Sequence, residues 1–329
     1  MSPEVHLGAP GQPVVARLVR EGFTEGVHHG VVVARDVHGE VLLAHGPVAD
    51  PMLPRSVNKP LQAVAMVRHG LDLPPEQLAL AAASHSGEPQ HVEVVSAVLA
   101  SVGLDASALA NPEDWPLIDS VRDEVLRAGG APSRLLMNCS GKHAAMLVTC
   151  MVNGWPTDGY LDPAHPLQQT ILAELPSLTG EPVAVATTDG CGAPLLAVSP
   201  LGLAHAFGLL ARAEASTAEG RVAAAMRAHP ELVSGSTRDE AVLHRAVPGL
   251  VTKAGAEAVQ AVGLPDGRGI ALKIADGSPR ARPVLMAAAL ERIGALDLPG
   301  VDAGAVRGTG RHEVRGGGRV LGAVEAVLP

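Results

Sequence analysis

The chain is poor in aromatic residues: Phe, Trp and Tyr make up 2% of its 329 residues. Its core therefore has to be built from Ala, Val and Leu, and the planar platforms on which single-stranded nucleic acids stack are missing. Basic clusters are missing as well, and the formal net charge is −9. That balance repels a phosphate backbone, so no nucleic-acid partner is expected. No apolar run reaches the ~18 residues of a membrane-spanning helix, which argues against a membrane partner. The stretch MSPEVHLGAPGQP lacks the basic n-region and apolar h-region of a secretory signal. Three cysteines, an odd number in a long chain, do not make a disulfide framework. The expectation is a soluble cytoplasmic protein.

What is present is 47% hydrophobic residue and 18% charged residue, ample for a large core. Alternating or continuous apolar runs predict strands over 14–20, 30–35 and 41–45, then again over 250–254, 257–263, 269–275 and 319–328. Between them the helical spacing predicts segments from Ser56 onward and at 75–83, 91–102, 119–128, 142–153, 166–175, 202–214 and 219–228. A further helix is expected at 283–294. Strands at both ends with helices between them imply an α+β fold. Its layers are αβα: a mainly antiparallel sheet built from both termini, with helices on its faces. The whole of 1–329 reads as a single domain, with room for a helical subdomain within about 60–240.

Five stretches could carry chemistry. In LPRSVNKPLQ, Pro60 suits only the first turn of a helix. That places Ser56 and Lys59 three residues apart on one face. A desolvated lysine can serve as the base that activates a serine, and S-x-x-K is the nucleophile motif of penicillin-recognising hydrolases. Ser84-His85-Ser86 follows where a helix runs out, and Lys253-Ala254-Gly255 lies on a late strand. The order S-x-x-K, S-x-S, K-x-G parallels S-x-x-K, S-D-N, K-T-G. Each match alone is compatible with an ordinary cap or solvated lysine; the ordered trio is more specific.

The remaining two stretches contain cysteine. Asn138-Cys139-Ser140-Gly141-Lys142-His143 precedes a helix. It is not a phosphate loop, because Leu136 stands at the first Gly position and His143 replaces Ser/Thr. Cys139 at a helix N-terminus is a candidate low-pKa thiol or metal ligand. Cys191 sits in the turn Asp189-Gly190-Cys191-Gly192. The spacing of Cys139 and Cys191 does not by itself define a metal site. Cys150, on an apolar helix face, reads as core.

Set side by side, PRSVNKPLQA (54–63), SHSGEPQHV (84–92), NCSGKHAAML (138–147), TDGCGAP (188–194), PGLVTKAGAE (248–257) and LPDGRGIALKIADG (264–277) resemble the bacterial L-asparaginase II family, the serine-dependent rhizobial type. The resemblance implies a fold like the serine β-lactamases and glutaminases and a homodimer acting on L-asparagine. It implies two Ser–Lys pairs, which map to Ser56 with Lys59 and to Ser84 with Lys253. It further implies Zn²⁺ held by Cys139, Lys142 and Cys191. Arg55, His143 and Asp189 are candidates for binding the substrate or orienting ligands. Two positions depart from the family pattern: Ala258 stands where Gly is expected, and Glu240 where Thr is expected. A glutaminase or another serine hydrolase on the same scaffold is the alternative activity.

Overall fold

The structure, a computed structural model, describes residues 12–329. The chain opens with a hairpin of β1 (Val14–Arg20) and β2 (Phe23–Arg35). Its tight turn puts Glu21 and Gly22 at φ of 47° and 83°, the left-handed backbone that suits two-residue hairpin loops. β2 begins well before residue 30, where the sequence pattern started it. Residues 23–29 are mostly polar or small, yet their backbone is paired along β1. β3 (Val41–His45) pairs with the far half of β2.

A helical region follows. It comprises α1 (Lys59–Arg68), α2 (Pro75–Ala81), α3 (Pro89–Ala100), α4 (Asp119–Arg127), α5 (Ser140–Asn153) and α6 (Pro166–Thr179). A small separate ribbon, β4 (Val185–Thr188) with β5 (Pro194–Ala197), comes next. Then come α7 (Pro200–Arg212), α8 (Ala218–Ala228), α9 (Pro230–Val233) and α10 (Asp239–Ala246). Five of these helices, α2, α3, α6, α7 and α9, begin on proline, whose fixed φ and missing N–H cost nothing there. The chain then returns to the sheet with β6 (Val251–Gly255), β7 (Val259–Gly263) and β8 (Gly269–Ile274). It ends with α11 (Ala281–Arg292), α12 (Ala303–Thr309), β9 (Glu313–Gly316) and β10 (Arg319–Ala326).

The main sheet runs β6-β7-β8-β2-β1-β10-β9, with β3 also on β2, and its ladders are antiparallel. Strands from the two ends meet at its centre, as expected. Alternate side chains feed two cores. Val33, Val259, Ala261 and Ala271 join Leu203 and Phe207 of α7 on one face. Val32, Ala34, Val262 and Leu272 join Leu285 and Ala289 of α11 on the other. This is the αβα layering. The seating of α7 requires glycine at two sheet positions, because a Cβ on Gly263 or Gly269 would collide with the Phe207 or Ala204 carbonyl.

The β6–β7 turn holds Glu257 and Ala258 at φ of 59° and 52°. Glycine, lacking Cβ, adopts this backbone freely, which explains the expectation of Gly at 258. Ala258 occupies it at a conformational cost. No helix among the described residues is long and apolar enough to cross a membrane.

Candidate active site

The S-x-x-K stretch enters helix α1 through a 3₁₀ turn, Arg55–Asn58, with Lys59 as the first residue of the α-helix. Arg55 has φ of 53°, so the chain reverses sharply just before Ser56. Strand β6 passes close to this reversal. A Cβ on Gly255 would lie 3.0 Å from Pro54 O and 3.1 Å from Ser56 N. Lys253, two residues earlier on the same strand, faces the same side. The stretch Ser84–Glu88 arrives between α2 and α3, pinned by Ser84 N–H to Val233 O at 3.0 Å and His85 N–H to Asn138 O at 3.1 Å.

Three of the first four candidates are almost fully covered, with Lys59 1%, Ser84 5% and Lys253 0% exposed, while Ser56 keeps 9%. Lys59 Nζ lies 2.6 Å from Ala83 O, 2.9 Å from Ser84 Oγ and 3.5 Å from Asn138 O. The pairs implied by the resemblance joined Lys59 to Ser56 and Lys253 to Ser84. The bonds in the structure run from Lys59 to Ser84 and from Lys253 to Glu240, at 2.9 Å and 3.0 Å. Ser56 stands one 3₁₀ turn before Lys59.

Glu240, on α10, is wholly buried. Its Oε1 also accepts Ala254 N–H at 2.8 Å, and its Oε2 is ion-paired with Arg238 Nη2 at 2.6 Å. Arg238 Nη1 donates in turn to Ser84 O at 2.8 Å. Burial raises the Glu240 carboxyl, but Arg238 and Lys253 outweigh it and hold the group well below the usual range. Burial pushes Lys253 down to about 8 against the opposing pull of Glu240. Neither Glu240 nor Arg238 was a sequence candidate for the site. Lys and Arg number 25, yet only Lys59, Lys142, Lys253 and Lys273 are lysines, and all four are buried.

Arg55 Nε donates to Asp189 Oδ1 at 2.8 Å, and Arg55 Nη1 lies 3.7 Å from Glu257 Oε1. Arg55, Glu257 and Lys273 line a cavity of about 450 Å³ together with Thr187 and apolar side chains of the β4–β5 ribbon. The cavity adjoins the Ser56 turn through Arg55. His143 is fully buried, with Nδ1 at 2.8 Å from Tyr160 Oη, away from this cavity's lining.

The cysteines converge on the same region. Lys142 Nζ donates to Cys191 Sγ at 3.1 Å. Cys139 Sγ donates to Asn138 Oδ1 at 2.9 Å, and the neighbouring Cys139 thiol is the main influence holding the Cys191 thiol far below its ordinary value, with Lys142 and His143 adding to it. Cys191 in turn, with burial, pushes Cys139 well up. Burial works against the Lys142 ammonium, but the Cys191 thiolate outweighs it and Lys142 is raised. His143 Nε2 is a buried nitrogen with no hydrogen-bond partner, and burial depresses its titration to about 4. Among the described residues, no three His, Cys, Asp or Glu side chains form a metal-binding group; a third donor would have to be Lys142, after loss of the proton it now donates to Cys191. Two soft sulfurs, one amine and an unpartnered imidazole nitrogen nearby fit a thiophilic ion such as zinc. Cys150 is buried in the core.

Comparison with solved structures finds distant likenesses. A β-lactamase from Mycobacterium bovis is 18% identical, over 80% of this chain and 94% of that one, with TM-score 0.47. EstCE1, described as a hydrolase with promiscuous acyltransferase activity, is 14% identical over 76% of this chain and 90% of its own, with TM-score 0.40. Comparison with curated proteins finds no match. The sequence model of the L-asparaginase II family matches residues 16–326, nearly the whole length, and the chain belongs to that family.

Proposed function

We propose that this hydrolase of the L-asparaginase II family cleaves the side-chain amide of L-asparagine, giving L-aspartate and ammonia, by serine–lysine chemistry. The observation that carries the reading is the surroundings of Lys59 Nζ, with a serine hydroxyl at 2.9 Å and two backbone carbonyls at 2.6 and 3.5 Å. Nζ donates to all three oxygens; once it gives up a proton it would keep two N–H groups for the carbonyls and turn its lone pair to Ser84 Oγ. That is the arrangement of a base poised beside a hydroxyl.

In the reaction Ser56 attacks the amide carbon, and its proton passes to Lys59 by way of Ser84. The carbon–nitrogen bond breaks, the nitrogen leaves as ammonia, and water opens the resulting ester. The bond between Lys59 and Ser84 favours a second reading in which Ser84 itself attacks. The cavity beside Arg55 is of a size for a small amino acid, and its mixture of cations with Glu257 suits a zwitterion. Cys139, Lys142 and Cys191 would hold the metal, which when bound supplies a Lewis acid beside the reacting centre. A homodimer and a cytoplasmic setting belong to the same reading.

The test is to quench turnover of L-asparagine rapidly with acid and map the acylated peptide by mass spectrometry. An aspartyl ester on Ser56 is the expected result. The ester on Ser84 would select the second reading, and a labelled intermediate on neither serine would overturn both.

A further inference from the structure

A continuous run of polar contacts joins the two lysines. Lys59 Nζ is 2.9 Å from Ser84 Oγ, and Ser84 O accepts from Arg238 Nη1 at 2.8 Å. Arg238 Nη2 is 2.6 Å from Glu240 Oε2, and Glu240 Oε1 is 3.0 Å from Lys253 Nζ. Glu240 and Lys253 both have wholly buried side chains, while that of Arg238 is 15% exposed. Evolutionary chance aside, a carboxylate in such a place has to be compensated, because an isolated buried charge is strongly disfavoured. Here two cations and the Ala254 N–H compensate it.

The two lysines are thus treated differently. Lys59 faces a hydroxyl and carbonyls. Lys253 faces a carboxylate and the Ala254 carbonyl. We propose that Glu240 is a positioning residue for the amide hydrolysis: it keeps Lys253 an ammonium and, through Arg238, fixes the Ser84 main chain, so that Lys59 is the base and Lys253 the proton donor. The assignment rests on the amidase reading above.

The protons then balance. In acylation the serine proton goes to Lys59, and the departing nitrogen takes the electron pair of the broken bond and a proton from Lys253. In deacylation the attacking water gives a proton to Lys253, and the departing serine oxygen recovers one from Lys59. Each lysine ends as it began.

The groups that set the Lys253 charge come from several elements. Glu240 and His244 lie on α10, Arg238 immediately precedes it, and Lys59 is on α1. Arg282 on α11 reaches Gln260 of β7 at 2.7 Å and is paired with Asp239 at 2.8 Å. His244 accepts the Thr252 N–H through Nε2 and donates from Nδ1 to Glu240 O, so it is neutral and contributes no charge. Glu240 is then the anion on Lys253, and Arg238 the main opposing cation, ahead of Lys59.

The experiment is NMR titration of the full-length protein with isotope-labelled lysine side chains. Four lysines give few signals, and Lys253→Met identifies the one required. Glu240→Gln removes the anion and should move the Lys253 titration down by about one pH unit or more. Arg238→Met removes the opposing cation and should move it up. The alkaline limb of kcat/KM for asparagine should follow in the same two directions. A Lys253 titration unmoved in folded Glu240→Gln and Arg238→Met proteins overturns the proposal, as does an alkaline limb that stays fixed while the titration moves. Should Glu240→Gln fail to fold, Arg238→Met decides by the sign of its shift. Failure of the wild-type protein to release ammonia from asparagine refutes the substrate and the proton-donor role with it; Lys253 shifts in both variants would then still separate the charge arrangement from that failure.

Discussion

Lys59 Nζ and Ser84 Oγ are 2.9 Å apart although 25 residues separate them in sequence. Because Ser84 is also tied by its backbone N–H to Val233 O and by its carbonyl to Arg238, the hydroxyl is held to the amine on both sides. Lys59 removed, the hydroxyl loses its base but keeps its place. Lys59→Met should therefore lower kcat by about 10²–10⁴-fold, the usual worth of a positioned general base, while the folded state survives. Steady-state ammonia release together with circular dichroism checks this, and near-wild-type kcat in a folded variant would count against Lys59.

Glutamine should be a poor substrate. Its amide lies one methylene further from the charges that anchor an amino acid, and such displacement in a fitted pocket costs about 1–3 kcal/mol of transition-state binding. The ratio of kcat/KM for asparagine over glutamine checks this. A ratio at or below unity would make the protein a glutaminase.

Zinc should bind at about one ion per chain, and Cys191→Ser should abolish it. Elemental analysis after dialysis against trace-metal-free buffer gives the answer. Wild-type protein that is active without zinc would remove the metal from the mechanism and leave the Ser–Lys chemistry in place, since Lys59 and Ser84 contact each other directly.

Acid should destabilise the protein before its carboxylates titrate. Burial depresses His85 well below its ordinary value and His244 to about 4. A group whose folded pKa lies below its unfolded value binds more protons when unfolded. Its contribution is therefore complete above the unfolded pKa, near 6.5, and is lost as pH falls toward the folded value. Denaturant midpoints should fall between about pH 6.5 and 4. Replacing His85 by Gln should flatten that fall, and an unchanged slope would contradict it.

Much of the fold could be read from local pattern. The run GVVVAR at 30–35 is apolar on both faces because it lies between α7 and α11, and such burial on both sides shows directly in sequence. The start of α6 at 166 was equally legible, whereas α7 begins at Pro200, two residues before the expected 202. The beginning of β2 was not legible, since residues 23–29 are held by partners on β1 rather than by their own hydrophobicity. Strand β9 and helices α10 and α12 were missed for a similar reason: they are short, and packing decides them.

Sequence singled out the residues of the candidate site but not the contacts between them. Ser56, Lys59, Ser84 and Lys253 were singled out by motif, and Cys139, Lys142 and Cys191 through the family resemblance. The partner of each lysine depends on how α1, α10 and β6 approach one another. Glu240 precedes Lys253 by 13 residues, a separation with no meaning until α10 turns back against β6. His143 and Asp189 illustrate the same limit, since their actual partners, Tyr160 and Arg55, are 17 and 134 residues away.

The most direct test of the central claim is ammonia release from L-asparagine by the wild-type protein and by the double variant Ser56→Ala/Ser84→Ala. The account predicts turnover by the wild type and its loss in the folded double variant, which should be little worse than the more damaged single variant because these groups act as a unit. Ammonia release that persists in the double variant would contradict serine catalysis outright.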